Sequence, residues 1–298
     1  MKIFICTNDN QMIGAKVAKN TIINRSQFST NDVVILSESE IPSFKRFFMK
    51  PYLRRGKMVE FNKNDMQSFT LLRFHIPFLM GFHGKALVID PDIFQVQEGI
   101  EGLINFDFER HSIYARKGLQ KNSWASSAML ISCENFLHWS LENFINQLHL
   151  GEIDYDDLIN LRLEKESIGE LDKKWNEFDQ INLNTILLHT TEKITQPWRA
   201  GLSLNSTIPP LFKYIPRAPI YKLFGKDLTK GREHPHQAVT DFFFKELALC
   251  LSENIISSQE LDDAMQKKFM RPDIHNKLNH ISSSFVRVLM LLIVLSIK

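Results

Sequence analysis

Cysteine is nearly absent: Cys6, Cys133 and Cys250 are the only three, far apart and in apolar surroundings. An odd number with neither pairing nor metal-ligand spacing excludes a disulfide framework and a structural zinc site, and reads as reduced core thiols. Charge of one sign is missing too. With 36 basic against 34 acidic residues and a formal net charge of +2, the chain has no electrostatic footprint for nucleic acid. No apolar run reaches the roughly 20 residues a bilayer crossing needs. The unbroken run Val288–Leu295, within FVRVLMLLIVLSI at 285–297, is far shorter. It reads as a buried helix, a buried strand, or an interfacial element with Arg287 and Lys298 at the headgroups. Peripheral membrane contact through the C-terminus is therefore one open expectation. Repeats and low-complexity segments are lacking. The first residues enter a strand at once, which predicts a cytoplasmic protein without signal peptide or N-terminal anchor.

What is present is a globular composition, 44% hydrophobic and 23% charged, with 23 Phe spread along the chain as core residues. Short β runs alternate with helical stretches. Strands are expected at Lys2–Cys6, Val33–Leu36, Met58–Phe61, Lys85–Ile89, Ser112–Ala115, Ala128–Ser132 and Thr185–His189. Helices are expected at Gln11–Asn24, Ser68–Met80, Glu134–Leu148 and His236–Leu251, while Asp154–Glu170 is charge-rich and reads as solvated. This βαβ rhythm predicts an α/β fold with one mostly parallel, Rossmann-like sheet flanked by helices.

The run Lys85-Ala86-Leu87-Val88-Ile89 ends in Asp90-Pro91-Asp92. A buried strand thus delivers two carboxylates, one residue apart, at the sheet edge where open α/β proteins bind ligands. Like charges that close raise one pKa unless a cation lies between them. Mn²⁺ or Mg²⁺, which take oxygen ligands and bridge phosphates, are the natural occupants. Taken alone, Asp-Pro-Asp is equally good turn chemistry.

The surrounding residues change the balance. Ser68-Phe69-Thr70-Leu71-Leu72-Arg73-Phe74-His75-Ile76-Pro77, followed by Gly84-Lys85-Ala86-Leu87-Val88-Ile89-Asp90-Pro91-Asp92, resembles the central signature of family 8 glycosyltransferases. Met1–Asn8 is similar to that family's opening strand and nucleotide loop, and Trp124–Ile131 to its strand beside the donor sugar. Leu188-His189 with Gln196-Pro197-Trp198 resembles the segment that closes the metal site. The resemblance covers roughly residues 1–250, the expected GT-A-type domain, and leaves 251–298 as a helical C-terminal extension.

The resemblance implies a retaining, metal-dependent hexosyltransferase that takes a UDP-sugar or other nucleotide-sugar donor to a glycan or glycolipid acceptor. Asp90, Asp92 and His189 would be the metal ligands. Thr7, Asn8 and Asp9 would hold the nucleoside, Arg73 a donor phosphate or the carboxylate of a metal ligand, Lys85 the donor sugar or diphosphate, and Ser126 and Ser127 would line the sugar pocket. Gln196 stands where the family has Lys, and seven residues separate His189 from Pro197, slightly more than usual. Lys193 or Arg199 would replace the missing charge. At the anomeric centre the family places an Asp-Gln pair. The stretches Asp154–Asp157 and Glu164–Ser167 stand in its place without the Gln, making Asp154 and Glu166 the candidates. Two other readings stay open. One is a sugar-nucleotide nucleotidyltransferase, disfavoured because Thr7–Lys16 holds only Gly14 where a glycine-rich loop belongs. The other is a non-catalytic carbohydrate- or nucleotide-binding protein of the same fold.

Overall fold

A computed structural model describes residues 1–48, 50–62, 65–118, 123–203 and 229–280, without the side chains of Lys165 and Glu166. The apolar run at 285–297 lies outside the described residues. The chain forms two compact units, Met1–His189 and Thr190–Lys298.

The first unit is built on strands β1 (Lys2–Thr7), β2 (Val33–Ser37), β5 (Lys85–Ile89), β7 (Ile113–Lys117), β8 (Trp124–Ser132) and β9 (Ile168–Glu170). They form one sheet in the order β2-β1-β5-β8-β7-β9. Only β8 runs against the others; β1 is parallel to both β2 and β5, and β7 to β9. The mostly parallel α/β sheet expected from the sequence is therefore present. β1 and β5 are apolar throughout because both their faces are covered. Phe4, Cys6, Ala86 and Val88 pack into one hydrophobic core with the helices α2 (Pro42–Phe47), α4 (Leu141–Leu150) and α5 (Tyr155–Ile159). The alternate residues Ile3, Ile5, Leu87 and Ile89 are equally buried and face the other way. On β1 and β2 that second side carries α1 (Met12–Asn24).

A separate three-stranded sheet sets the site. In it β10 (Glu177–Phe178) is parallel to β11 (Leu187–His189), and β11 is antiparallel to β6 (Ile93–Gln95). His189 pairs with Ile93, the residue after Asp92, so a strand nearly a hundred residues downstream is registered onto the end of β5.

Four segments differ from the sequence expectation. Met58–Phe61 is no strand of the main sheet; β4 (Lys57–Val59) forms a hairpin with β3 (Tyr52–Arg54), turning at Arg55 and Gly56, both at positive φ. Ser68–Met80 is a 3₁₀ helix over Ser68–His75 followed by α3 (Ile76–Leu79). Glu134–Leu148 is not one helix. Phe136 and Trp139 have helical spacing but reach the core from a loop, and α4 begins only where the Ser140 hydroxyl accepts from Asn143 N–H. The charged stretch 154–170 is not simply solvated: Tyr155, Leu158, Leu161 and Ile168 are buried, and its end supplies edge strand β9.

The second unit contains the helices Gln237–Ser252 and Ser258–Gln266, the latter opened by a Ser257–Glu260 capping box. The buried Arg271 guanidinium donates to Pro197 O (3.1 Å), Glu233 and Asp273, and Arg271 N–H donates to Trp198 O at 2.8 Å. Trp198 packs on Phe243 with ring centroids 4.6 Å apart. The Pro197-Trp198 dipeptide is thereby pinned to later parts of its own unit. The helical C-terminal region expected from the sequence is present to this extent. Among the described residues no helix is long and apolar enough to cross a membrane.

Candidate metal centre

Three side chains from two elements converge at the C-terminal edge of the sheet. Asp90 and Asp92 leave the end of β5, and His189 ends β11. One ligand atom from each lies within 4.8 Å of the others. Asp90 N–H donates to Ser127 O (2.9 Å), carrying the β5–β8 ladder one residue beyond the strand and fixing the turn. Beneath it lies α1, whose Gly14 is forced by a close approach: a Cβ there would sit 2.8 Å from Pro91 O. Because that neighbour is backbone, Gly14→Ala must push the turn away. The expected cost is about 1–3 kcal/mol of stability, seen as a lowered thermal midpoint, together with weaker divalent-cation binding.

The charges are arranged unequally. The Arg73 guanidinium donates to both oxygens of Asp90, at 2.5 and 2.6 Å, and to the Ser126 hydroxyl at 2.5 Å. Ser126 in turn donates to Ile159 O. Arg73 is 3% exposed, held on Asp90 from below the turn. Each carboxylate oxygen has a second lone pair, so this pairing leaves Asp90 able to bind a cation.

His189 is buried. Burial first, then the positive charges of Arg73 and Arg116, push its imidazole down to about 3, so the ring is neutral at pH 7. Its Nδ1 lies 2.9 Å from Asn176 Oδ1 and 3.3 Å from Ser127 Oγ. Its Nε2 lies 3.5 Å from Asp92 Oδ1, beyond a good hydrogen bond. With the ring proton on Nδ1, a nitrogen lone pair faces a carboxylate oxygen. A cation between them is what makes this pair of acceptors favourable. Two carboxylates and a neutral imidazole, fixed by buried partners, fit a divalent ion with open positions for external oxygens.

The other expected residues fall in different places. Thr7 and Asn8 end β1 at the same edge, beside β5. Thr7 Oγ1 donates to Asn8 O (3.2 Å). Asn8 Nδ2 donates to Ser68 Oγ (3.0 Å) and Asp65 O (3.3 Å), leaving its buried Oδ1 without a partner among the described residues. Ser68 passes a hydrogen bond on to Glu38 (2.6 Å), whose carboxyl burial pushes up to about 7. Asp9 is exposed and starts a 3₁₀ turn whose last residue, Gln11, is buried. Ser126 and Ser127 are at the site, the first under Arg73 and the second against His189.

The Arg73 fork takes the carboxylate of Asp90, one of the two kinds of partner expected for it. Lys85 stands at the other end of its strand. It begins β5, so about 16 Å of strand separates it from Asp90 at ~3.3 Å per residue, and its ammonium donates to Ile104 O and Phe106 O. Asp154 caps the start of α5. It accepts from the N–H groups of Arg55 (3.0 Å), Gly56 (2.7 Å) and Asp156 (2.8 Å), tying the β3–β4 turn to α5. Glu166 sits in a 3₁₀ turn over Arg162–Ser167, and its side chain lies outside the described residues. Lys193 lies in a turn of the second unit, where Gln196 donates to Thr190 O (3.1 Å) and Arg199 is buried. Sequence reasoning missed Asn176, Arg116 and Gly14 as parts of the site. Trp175-Asn176 was visible only as part of a family-like segment, and Gly14 only as a lone glycine.

No family model matches the chain, and no curated protein does. Solved structures are similar to it at low identity. One is galactosyltransferase LgtC with donor and acceptor sugar analogs, 14% identical, TM-score 0.44, over 66% of this chain and 89% of that one. Another is glycosyltransferase GlyE of Streptococcus pneumoniae TIGR4, 14% identical, TM-score 0.47, over 86% of this chain and 65% of that one. A third is mouse xyloside xylosyltransferase 1, 12% identical, TM-score 0.44, over 64% and 97% respectively.

Proposed function

We propose that the chain is a metal-dependent, retaining glycosyltransferase of GT-A type, moving a hexose from a UDP-sugar to a hydroxyl of a glycan or glycolipid. The observation that carries this reading is the cluster of Asp90, Asp92 and neutral His189 at the sheet edge that also holds the buried Asn8 after β1. Asp90, Asp92 and His189 would hold a divalent ion such as Mn²⁺, whose positive charge would offset the negative charge that grows on the leaving oxygen. The protein's own contribution is to fix that geometry beforehand. Arg73 holds Asp90 at the correct rotamer, Ser127 lies against His189, and the Gly14 contact seats the turn. Thr7, Asn8 and Asp9 would take the nucleoside, with Asn8 Oδ1 as the available acceptor for a base or ribose donor. Ser126 and Ser127 would border the sugar, and Lys193 would meet phosphate charge.

Calorimetric titration with UDP, with and without Mn²⁺, tests the site, and release of UDP from UDP-hexoses tests the chemistry. Metal-dependent UDP binding is expected. So is slow hydrolysis without an acceptor, because activated donor and water meet in one pocket. Metal-dependent binding with no UDP released from UDP-glucose, UDP-galactose or their N-acetylated forms would favour the non-catalytic binding protein. Absence of UDP binding altogether would remove the proposal.

A further inference from the structure

We infer that Asn176 sets the imidazole of His189 for metal binding, taking the Nδ1 proton on its amide oxygen so that the Nε2 lone pair is turned to Asp92. This rests on the metal reading of the site, but it concerns a residue outside the expected ligand set. Asn176 is 0% exposed. Its two amide atoms are differently engaged: Nδ2 donates to Ser127 Oγ (3.3 Å) and Oδ1 lies 2.9 Å from His189 Nδ1. Ser127 Oγ, 3.3 Å from the same ring nitrogen, is a second acceptor for that proton. On the opposite side of the ring, Nε2 and Asp92 Oδ1 stand 3.5 Å apart, too far for the hydrogen bond that the other tautomer would make. The short contact is thus at Nδ1 and the open one at Nε2, as metal-binding histidines require.

The backbone that carries Asn176 is itself held. The β7–β8 register slips between Ala115 and Arg116, an irregularity of the kind that re-aims a side chain. Arg116 donates to Asn176 O at 2.6 Å and to the buried Glu177 carboxylate at 3.1 Å. Its guanidinium lies 3.9 Å from the Phe178 ring centre, and Phe178 stands edge-on to the His189 ring. One arginine therefore clamps both the residue that orients the imidazole and the ring that walls it. Asn176 is a positioning residue, acting through His189.

The test uses the full chain labelled with ¹⁵N-histidine. In the metal-free protein the His189 nitrogens should report the Nδ1–H tautomer. Asn176→Ala should lose that preference and weaken Mn²⁺ binding, read by electron paramagnetic resonance, about 10–100-fold. Asn176→Asp keeps an acceptor at the same place and should keep both the tautomer and most of the affinity, a rescue that loss of packing alone would not give. An Nε2–H tautomer in the wild type, with the Asn176 amide turned over, overturns the inference. So does a folded Asn176→Ala that binds Mn²⁺ as the wild type does. Failure of the wild type to bind Mn²⁺ overturns the metal reading and the inference with it; a wrong tautomer in a protein that binds Mn²⁺ overturns the inference alone.

Discussion

Asp92→Asn is expected to abolish Mn²⁺-dependent UDP binding while the protein remains folded. The amide has nearly the shape of the carboxylate, so packing around the Asp90-Pro91-Asp92 turn survives. What disappears is a negative charge facing the Nε2 of a neutral imidazole at 3.5 Å. Mutation of groups that only orient metal ligands typically weakens binding 10–100-fold, so loss of a ligand charge should weaken Mn²⁺ by roughly 100-fold or more. Titration of UDP with and without Mn²⁺ reads the effect, and a circular-dichroism melt within a few degrees of wild type establishes that the fold is kept. Metal-dependent affinity equal to wild type would falsify the assignment of this residue as a ligand.

The candidate metal triad was legible because its chemistry is local at one end and carried by a resemblance at the other. Asp90 and Asp92 stand at the end of an apolar run, and strand direction alone puts them at a ligand-binding edge. His189 is distant in sequence, and only the antiparallel registration of β11 on β6 brings it there, which no spacing in the chain encodes. The same dependence on direction explains Lys85. The resemblance implied a donor contact for the basic residue ahead of the motif, and a strand carries its first and last residues to opposite edges. Asp154 is a different case. A short acidic run looks available for chemistry until backbone N–H groups are counted, and three of them claim this carboxylate. Asn176 and Arg116 were invisible as site residues because their roles come from a register slip and a second sheet. The helix expected at 134–148 shows that helical spacing of Phe136 and Trp139 specifies burial and not backbone conformation.

Disruption of the Arg73–Asp90 pair should affect folding far more than Asp92→Asn does, although both aspartates belong to one motif. The Arg73 side chain is 4% exposed and that of Asp90 12%, and two N–H···O contacts of 2.5 and 2.6 Å join them. Removing one member leaves the other as a buried charge without its partner. Such breaks cost about 3–5 kcal/mol. Arg73→Leu and Asp90→Asn are therefore each expected to lower the urea midpoint by an amount equivalent to that energy. The double variant Arg73→Leu/Asp90→Asn removes both charges together and should recover much of the loss, because most of the penalty belongs to the stranded charge. The recovery is the coupling energy of a double-mutant cycle. Additive losses in the double variant would show that the two side chains act independently. The same cycle separates scaffold from chemistry: the double variant should regain stability and still bind no Mn²⁺, since Asp90 serves as both the partner of Arg73 and a ligand. A double variant that regains metal binding along with stability would remove Asp90 from the ligand set and leave Asp92 and His189 to hold the ion.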